Sequence, residues 1–304
     1  MSAFGKQVEV KSLERKLYTG VENFKVVAIN PTKEELEKMY DREINFTPEY
    51  VGKITISDAD GEREVDQVRL DFFLANEDNS ITTKLQFYIA NTHHKSSKGS
   101  FKVINSFGKS TWLQKSDIES KQNIERMPWF NIDGVKVARR GEVELINAII
   151  NVLNLPMDLN KVEKVEDAYA KISSEQWIKI ISGDVSLLRE HVLSTNNKLG
   201  VLLGVKTNGD GKMTQTAFNK QTLRQFTLSS KKEGKYQYLA KNVRETQAAG
   251  ALGNVDFGSE DFVLKQYIVT PSVIDEENSS QTDVFAKAET SEEEATGDTD
   301  EWFN

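Results

Sequence analysis

Two stretches of this chain, residues 68–74 and 84–89, alternate between apolar and polar side chains with a period of two. Successive side chains of a β-strand point to opposite faces, so this period predicts strands with one core face and one polar face. The core faces hold Val68, Leu70, Phe72, Leu74, Leu85, Phe87 and Ile89. The polar faces hold Arg69, Asp71, Phe73, Lys84, Gln86 and Tyr88. A ring beside a cation on each polar face indicates a binding surface.

Further strand patterns surround these two stretches, at residues 24–29, 51–56, 101–104, 199–206, 212–226, 236–239 and 263–269. Helical periodicity occupies 142–153, and capping boxes predict helix starts at Thr32 and Ser173. Short strands at this spacing favour a small barrel or sandwich of the α+β class over βαβ units. The helical block at about 140–193 is predicted to be an insertion or a subdomain.

Charge is distributed unevenly along the chain. Residues 275–304 contain eleven Asp or Glu and one Lys, a net charge of −10, whereas the whole chain carries −8. Residues 1–274 therefore carry −8 less −10, which is +2. A segment this acidic and polar predicts a disordered tail. The predicted organisation is a basic arm at 1–20, a body at 21–274 and an acidic tail at 275–304.

Two stretches of the body combine cations with aromatic rings. Residues 95–126 have a net charge of +4, and residues 206–244 have a net charge of +7. Single-stranded nucleic acid is bound by cations that follow the phosphates and by rings on which bases stack. We therefore expect these stretches to form two walls of one groove, with outward-pointing Phe73 and Tyr88 as its floor. The alternative is two solvated basic loops with the rings in the core.

Arg139 and Arg140 precede the helix at 142–153, where cations oppose the positive end of the helix dipole. Such a pair either binds an anionic partner such as phosphate or is solvated in a loop. The full set of predicted DNA-binding residues is Arg69, Phe73, Lys84, Tyr88, Lys95, Lys98, Lys102, Phe107, Lys109, Trp112, Arg139, Arg140, Lys206, Lys212, Lys220, Arg224, Lys231, Lys232, Lys235, Tyr236 and Tyr238.

Signatures of catalysis or of a cofactor are missing from the sequence. There is no Cys, which excludes disulfides, thiolate zinc sites and cysteine nucleophiles. No GxxxxGK[ST], GxGxxG, GxSxG or HExxH motif occurs. Residues 208–211 resemble part of a calcium loop, but Ala217 stands where the loop needs Glu, so a turn is predicted. We therefore predict a protein that is not an enzyme, with no cofactor and no metal, and a solvated His93-His94 pair.

The sequence also bears on location. It has no apolar stretch long enough to span a membrane, and its first residues lack the apolar run of a secretory signal. A cytoplasmic protein without membrane partners is expected.

Three segments of the chain resemble single-stranded DNA-binding proteins of tailed bacteriophages, including the crAss-like group. They are FKVVAINPTKEEL at 24–36, ARRGEVELI at 138–146 and LGVKT at 203–207. The resemblance implies an OB-like small β-barrel that coats the displaced strand during phage replication or recombination, in the host cytoplasm. T-even-type relatives carry a structural zinc, which a chain without Cys cannot build in that form.

The same resemblance implies that the acidic tail recruits replication or recombination proteins. The predicted partner-binding residues are Asp298, Asp300, Glu301, Trp302 and Phe303. This ending keeps the acid-then-aromatic order but lacks the proline-phenylalanine ending of bacterial versions. The alternatives for the tail are a solubilising segment, or the regulatory tail of a virion or scaffold-like interaction protein. The oligomeric state is left open.

Overall fold

The computed structural model describes residues 15–153, apart from 59, 94, 97, 105–109, 115, 117–129, 133–134 and 138. It also describes residues 179–269, apart from 181, 210, 226–233, 249, 251–253 and 260. The strands are β1 Arg15–Ile29, β2 Val51–Asp58, β3 Gly61–Ala75, β4 Thr82–Ala90, β5 Phe101–Ile104, β6 Ser110–Leu113, β7 Phe130–Ile132, β8 Val135–Val137, β9 Leu199–Thr207, β10 Met213–Ala217, β11 Leu223–Arg224, β12 Val255–Asp256 and β13 Lys265–Val269. The helices are α1 Lys33–Tyr40, α2 Glu142–Val152, α3 Ser186–Leu193 and α4 Gly234–Ala248. The described residues are thus mostly β, with few helices.

The chain divides into two compact units. We call residues 22–202 and 217–230 the central unit, and residues 1–21, 203–216 and 231–304 the terminal unit. Strands β1 and β9 each contribute to both units. Residues 15–20 of the predicted basic arm belong to β1.

The central unit is built around the long strand β3. Its first half pairs with β2, its last four residues pair with β1, and β4 pairs along Gln67–Ala75, all antiparallel. The apolar side chains predicted from the period of two are buried, and Phe72 meets Phe87 edge to face at 5.3 Å between ring centroids. Edge-to-face packing is a favoured arrangement for a buried aromatic pair. The predicted core face is confirmed.

Asn30 forms hydrogen bonds with the short part of β3 that lies between the segment paired with β2 and the segment paired with β1. It directly follows β1 and has a positive φ of 43°. Its side-chain amide donates to the carbonyl of Arg69 at 2.9 Å, and its side-chain oxygen accepts the backbone N–H of Asp71 at 2.6 Å. Arg189 on α3 holds the same corner by donating to the carbonyls of Ile29 and Asn30. These bonds satisfy backbone groups that strand pairing leaves open, and they fix β3 at Arg69 and Asp71.

Two predicted helices are confirmed. The Thr32–Glu35 capping box opens α1, with both reciprocal hydrogen bonds present. Helix α2 covers the predicted periodic stretch, and its buried residues include Leu145, Ile146 and Ile149. The start predicted at Ser173 lies outside the described residues.

The strand predicted at residues 236–239 is wrong, because these residues belong to α4. Leu239, Val243 and Thr246 are buried, and their spacing of four and three is that of one helix face. A run of four residues with two tyrosines was too short to distinguish a strand from this helix.

In the terminal unit, the start of β1 pairs with β13, and the end of β9 pairs with β12. Gln215 links strands here, because its side-chain amide donates to the carbonyls of Tyr18 and Gly204 at 2.9 and 2.8 Å. Among the residues that the structure describes, no helix is both long and apolar enough to cross a membrane.

Candidate nucleic-acid interface

The polar face of β3 and β4 gathers residues from both strands in register. Arg69 lies opposite Tyr88, Asp71 opposite Gln86, and Phe73 opposite Lys84. Opposed side chains on an antiparallel pair are close enough to interact directly. The pairing therefore brings Arg69, Phe73, Lys84 and Tyr88, all predicted from sequence, onto one surface.

Asp71 is the centre of this surface, and we call Arg69, Asp71, Lys84 and Gln86 the Asp71 cluster. The carboxylate is fully buried. It accepts hydrogen bonds from Lys84 Nζ at 3.3 Å and Gln86 Nε2 at 3.2 Å, and Arg69 Nε lies 3.2 Å away. The side chains of Arg69 and Lys84 remain 26% and 18% exposed. One buried carboxylate thus pairs with two cations, and the three side chains together carry a net charge of +1.

Tyrosine rings flank the Asp71 cluster. The Arg69 guanidinium carbon lies 5.3 Å from the centre of the Tyr50 ring, within cation–π range, and the Tyr50 hydroxyl donates to the carbonyl of Pro31. Burial raises the pKa of both Tyr50 and Tyr88, so both hydroxyls stay neutral. Burial also lowers the pKa of Lys84, and the opposing Asp71 charge limits that effect.

Phe73 lies on the predicted face of β3, but the exposure predicted for its ring is wrong. The ring is only 5% exposed, and Lys84 Nζ lies 5.8 Å from its centre. The long Lys84 side chain is drawn across the face by Asp71, and its apolar stem covers apolar surface while its charged end reaches the carboxylate. Phe73 therefore packs beneath Lys84, and among the rings of β3 and β4 Tyr88 is the one left half-buried.

The hairpin of β5 and β6 presents a second ring. Trp112 is 44% exposed and lies opposite Lys102 in the strand register. Lys98 is also exposed. Phe101 is buried, and Lys95 lies over its ring at 5.6 Å while it also binds Asp60. The Trp112 ring is therefore not a core residue, and its neighbours Phe107 and Lys109 lie outside the described residues.

The Arg139-Arg140 pair joins β4 to helix α2. The backbone N–H of Ala90 donates to the carbonyl of Arg140, and the N–H of Arg140 donates to the carbonyl of Thr92, both at 3.1 Å. Arg139 is buried, and its guanidinium lies 3.4 Å from the carboxylate of Glu142. The prediction that Arg139 binds DNA is corrected here, because its guanidinium is buried and paired with an acid of the same chain. Arg140 is half-buried and lies beside the end of β4.

Glu142 gives this region a pH-dependent stability. Burial raises the pKa of its carboxyl from 4.5 to about 7, against the opposing effect of Arg139. A raised pKa means that the folded protein binds this proton more tightly than the unfolded chain does. The protonation of Glu142 therefore contributes to the stability of the folded state in full below about pH 4.5, and this contribution is lost as the pH rises through about 7. We expect Glu142→Gln, which is neutral at every pH, to gain stability relative to the wild type over this range. Urea unfolding of both proteins at pH 5 and pH 8 measures the difference, and an unchanged difference would contradict the assignment.

Asp58, Asp60 and His93 form a group whose ligand atoms lie within 4.8 Å of one another, a spacing that a metal ion could use. Arg63 binds Asp58 at 2.7 Å, and Lys95 binds Asp60. These hydrogen bonds lower the pKa of both carboxyls, while burial lowers the pKa of His93 and favours its neutral form. Two bound cations balance the two acids, so the group is best described as an ion-pair cluster that anchors the β2–β3 turn.

The second basic stretch is divided between the units. Lys220 is exposed and Arg224 half-buried in the central unit, where the neighbouring Asn219 donates to the carbonyl of Gln86 at 2.9 Å. The members in the terminal unit are Lys206, Lys212, Lys235, Tyr236 and Tyr238, and the last three lie on α4. Lys231 and Lys232 lie outside the described residues, as do all five predicted partner-binding residues. A groove with two walls therefore stays a prediction.

Sequence reasoning missed Asn30, Tyr50 and Asn219. A sequence signal existed for the first two, because Asn30-Pro31 directly follows the strand predicted at 24–29 and Tyr50 directly precedes the strand predicted at 51–56. Asn219 carried no such signal, since its contact with Gln86 spans 133 residues. The chain matches no protein-family model, no curated protein and no solved structure.

Proposed function

We propose that this protein is a non-catalytic, sequence-tolerant single-stranded DNA-binding protein with an OB-like central unit, which acts in DNA replication or recombination. The observation that supports the proposal is the polar face of β3 and β4. There, two cations are held by one buried acid beside a half-buried tyrosine. Cations and flat rings on one sheet face are the two elements that single strands require.

In the Asp71 cluster the acid lies beneath the two cations, and this arrangement is suited to binding a phosphate. Asp71 is fully buried, whereas Arg69 and Lys84 are partly exposed above it. An approaching anion therefore meets the cations first. The buried acid also fixes the positions of both cations before binding, which reduces the entropy lost on binding.

Aromatic stacking supplies the sequence-tolerant part of the binding. Every base has a π-face, so a ring such as Trp112 or Tyr88 accepts any base. Trp112 lies on a hairpin with Lys102 opposite it, and Tyr88 lies opposite Arg69. Each ring thus has a cation as its cross-strand neighbour.

Titration of the protein with oligothymidine at several salt concentrations tests the proposal. Affinity should fall steeply with salt, because each neutralised phosphate releases counterions. Lys84→Gln keeps a donor for Asp71 but removes a charge, and should reduce the slope of log K against log salt by roughly 0.7. Lys53→Gln is the matched control, since Lys53 is an exposed lysine opposite Asp66, on the face away from Arg69 by strand alternation.

The outcomes separate the two classes of function. Micromolar protein without affinity for oligothymidine at low salt would refute DNA binding. Self-association that is insensitive to salt, without DNA binding, would favour the virion or scaffold-like alternative. If Lys84→Gln and Lys53→Gln had the same slope of log K against log salt, the β3–β4 face would not be part of the DNA-binding interface.

Replacing Trp112 with Ala is expected to weaken oligothymidine binding by roughly 1–3 kcal/mol if a base stacks on it. The fold should survive, because the ring is 44% exposed. Phe46→Ala is the matched control: Phe46 is 41% exposed but lies in an acidic segment with Asp41, Glu43 and Glu49. Fluorescence anisotropy of a labelled oligonucleotide measures both, alongside thermal unfolding. Equal affinity losses in the two variants would contradict stacking on Trp112.

A further inference from the structure

The terminal unit contains a cleft of about 270 Å³ between helix α4 and the segment from Asp256 to Phe262. Its lining includes Val243, Phe257 and Phe262, all of which are largely buried apolar side chains. A volume just below the usual range of small-molecule pockets is suited to one or two aromatic side chains.

The polar residues of the lining include one cation, Arg244, on helix α4. Arg244 and Gln247 are exposed, lie one helical turn apart on α4, and both line the cleft. Among the described residues of the lining the one acid is Asp256, which accepts hydrogen bonds from the backbone N–H of Gly258 at 2.7 Å and from the Tyr267 hydroxyl at 3.1 Å. The Asp256 carboxylate keeps its negative charge but is held in place by these two neutral donors, so within the described part of the lining the Arg244 guanidinium is the group that attracts an anionic ligand.

The backbone that forms one side of the cleft has an unusual conformation. Phe262 is buried with a positive φ of 48°, and its carbonyl accepts the N–H of Val21 at 2.9 Å. Left-handed backbone is costly for a residue with a bulky side chain and persists only where the surrounding structure enforces it. The Phe262 ring is thus held at the cleft by the packing around it.

We propose that this cleft binds residues 300–303 of the same chain, Asp-Glu-Trp-Phe, with the Trp302 or Phe303 ring in the cleft and a neighbouring carboxylate at Arg244. Apolar side chains with Arg244 beside them are complementary to an aromatic side chain that is preceded by acids. Between residue 270 and the end of the sequence the aromatic residues are Phe285, Trp302 and Phe303. Only the last two directly follow a pair of acids.

The position of the last described residues also favours residues 300–303 as the segment that binds in the cleft. Strand β13 ends at Val269, and its Tyr267 bonds Asp256 of the cleft lining. From there 33 residues lead to Trp302, and at up to about 3.3–3.6 Å per residue this length does not limit return to the cleft. A tethered ligand binds at a high effective concentration, so even a modest contact is occupied in the free protein.

A photocrosslinking experiment on the full chain tests the proposal. Trp302 is replaced with p-benzoylphenylalanine, and the crosslinked residues are identified by mass spectrometry after irradiation. We expect crosslinks within one chain to α4 around Val243 and Arg244 and to the segment around Phe257. The same photoreactive residue at Phe285, which precedes Ala286 and Lys287, is the control and should not mark the cleft.

Charge-reversal variants test the role of Arg244. Arg244→Glu should lower the crosslink yield at the cleft by roughly fivefold, as expected for reversal of one exposed charge contact. Lys241→Glu makes the same change three residues earlier, at an exposed position that is not in the cleft lining, and should leave the yield nearly unchanged. The proposal would be overturned if the photoreactive residue at position 285 crosslinked to the cleft as strongly as the one at position 302. It would also be overturned if Arg244→Glu and Lys241→Glu changed the crosslink yield equally. Crosslinks between chains would assign the cleft to a second copy and would also overturn it. Oligothymidine affinity, measured separately, does not bear on either result.

Discussion

Asp71→Ala is expected to lower the free energy of unfolding by about 3–5 kcal/mol. Asp71 is fully buried and balances Arg69 and Lys84, which are themselves mostly buried. Its removal leaves two cations in a poorly solvated place without their acid and leaves the Gln86 amide without its acceptor. Urea unfolding at neutral pH measures the change.

Two further variants show whether charge is the cause. Asp71→Asn keeps an oxygen acceptor for Gln86 but not the charge, and should fall between the wild type and Asp71→Ala. Glu64→Ala removes the acid of the exposed Lys53–Glu64 pair, and should cost no more than about 1 kcal/mol. A cost for Asp71→Ala as small as that of Glu64→Ala would contradict a buried Asp71 cluster.

Gly141→Ala is expected to destabilise the protein by about 2–5 kcal/mol, through left-handed strain together with overpacking. Gly141 precedes α2 with a φ of 82°, and a Cβ at this position would lie 1.8 Å from the carbonyl oxygen of Tyr88. That oxygen belongs to the backbone of β4, so relief of the clash requires the helix to move away from the strand. The same movement would disturb the bonds of Arg140 to Ala90 and Thr92.

Gly99 provides a control for this prediction within the same unit. It has the same φ of 82°, but its Cβ would meet only Lys95 Cε, at an ordinary 3.9 Å. Gly99→Ala should therefore cost only the left-handed strain of about 1–2 kcal/mol. The difference between the two unfolding free energies measures the contact of α2 with β4. Equal costs would mean that this contact is not tight in solution.

The sequence predicted the local elements well where a single physical rule applied. The period of two in residues 68–74 and 84–89 gave both strands and their core face, because burial of one sheet face imposes that period. The Thr32–Glu35 capping box gave the start of α1 because its two hydrogen bonds are local. The pattern failed at residues 236–239, where helical packing of Leu239 and Val243 outweighed the preference of the tyrosines for strands.

The candidate interface was predictable only in outline. Alternation placed Arg69, Lys84 and Tyr88 on one face, and this followed from sequence alone. Alternation also placed Phe73 there as an exposed ring, which is wrong because Lys84 crosses it to reach Asp71. The pairing of Arg139 with Glu142 was within reach of the sequence at a spacing of three residues, but its burial was not.

By itself the sequence determined the strands at 68–74 and 84–89, which of their faces is core, and where charge accumulates, because these depend on neighbours within a few positions. Only the tertiary structure decided that Asp71 is a buried counterion, that Asn219 reaches Gln86, and that α4 and Phe262 enclose a cleft. The physical reason is that burial sets the energy of a charge or a ring, and burial comes from residues far away along the chain.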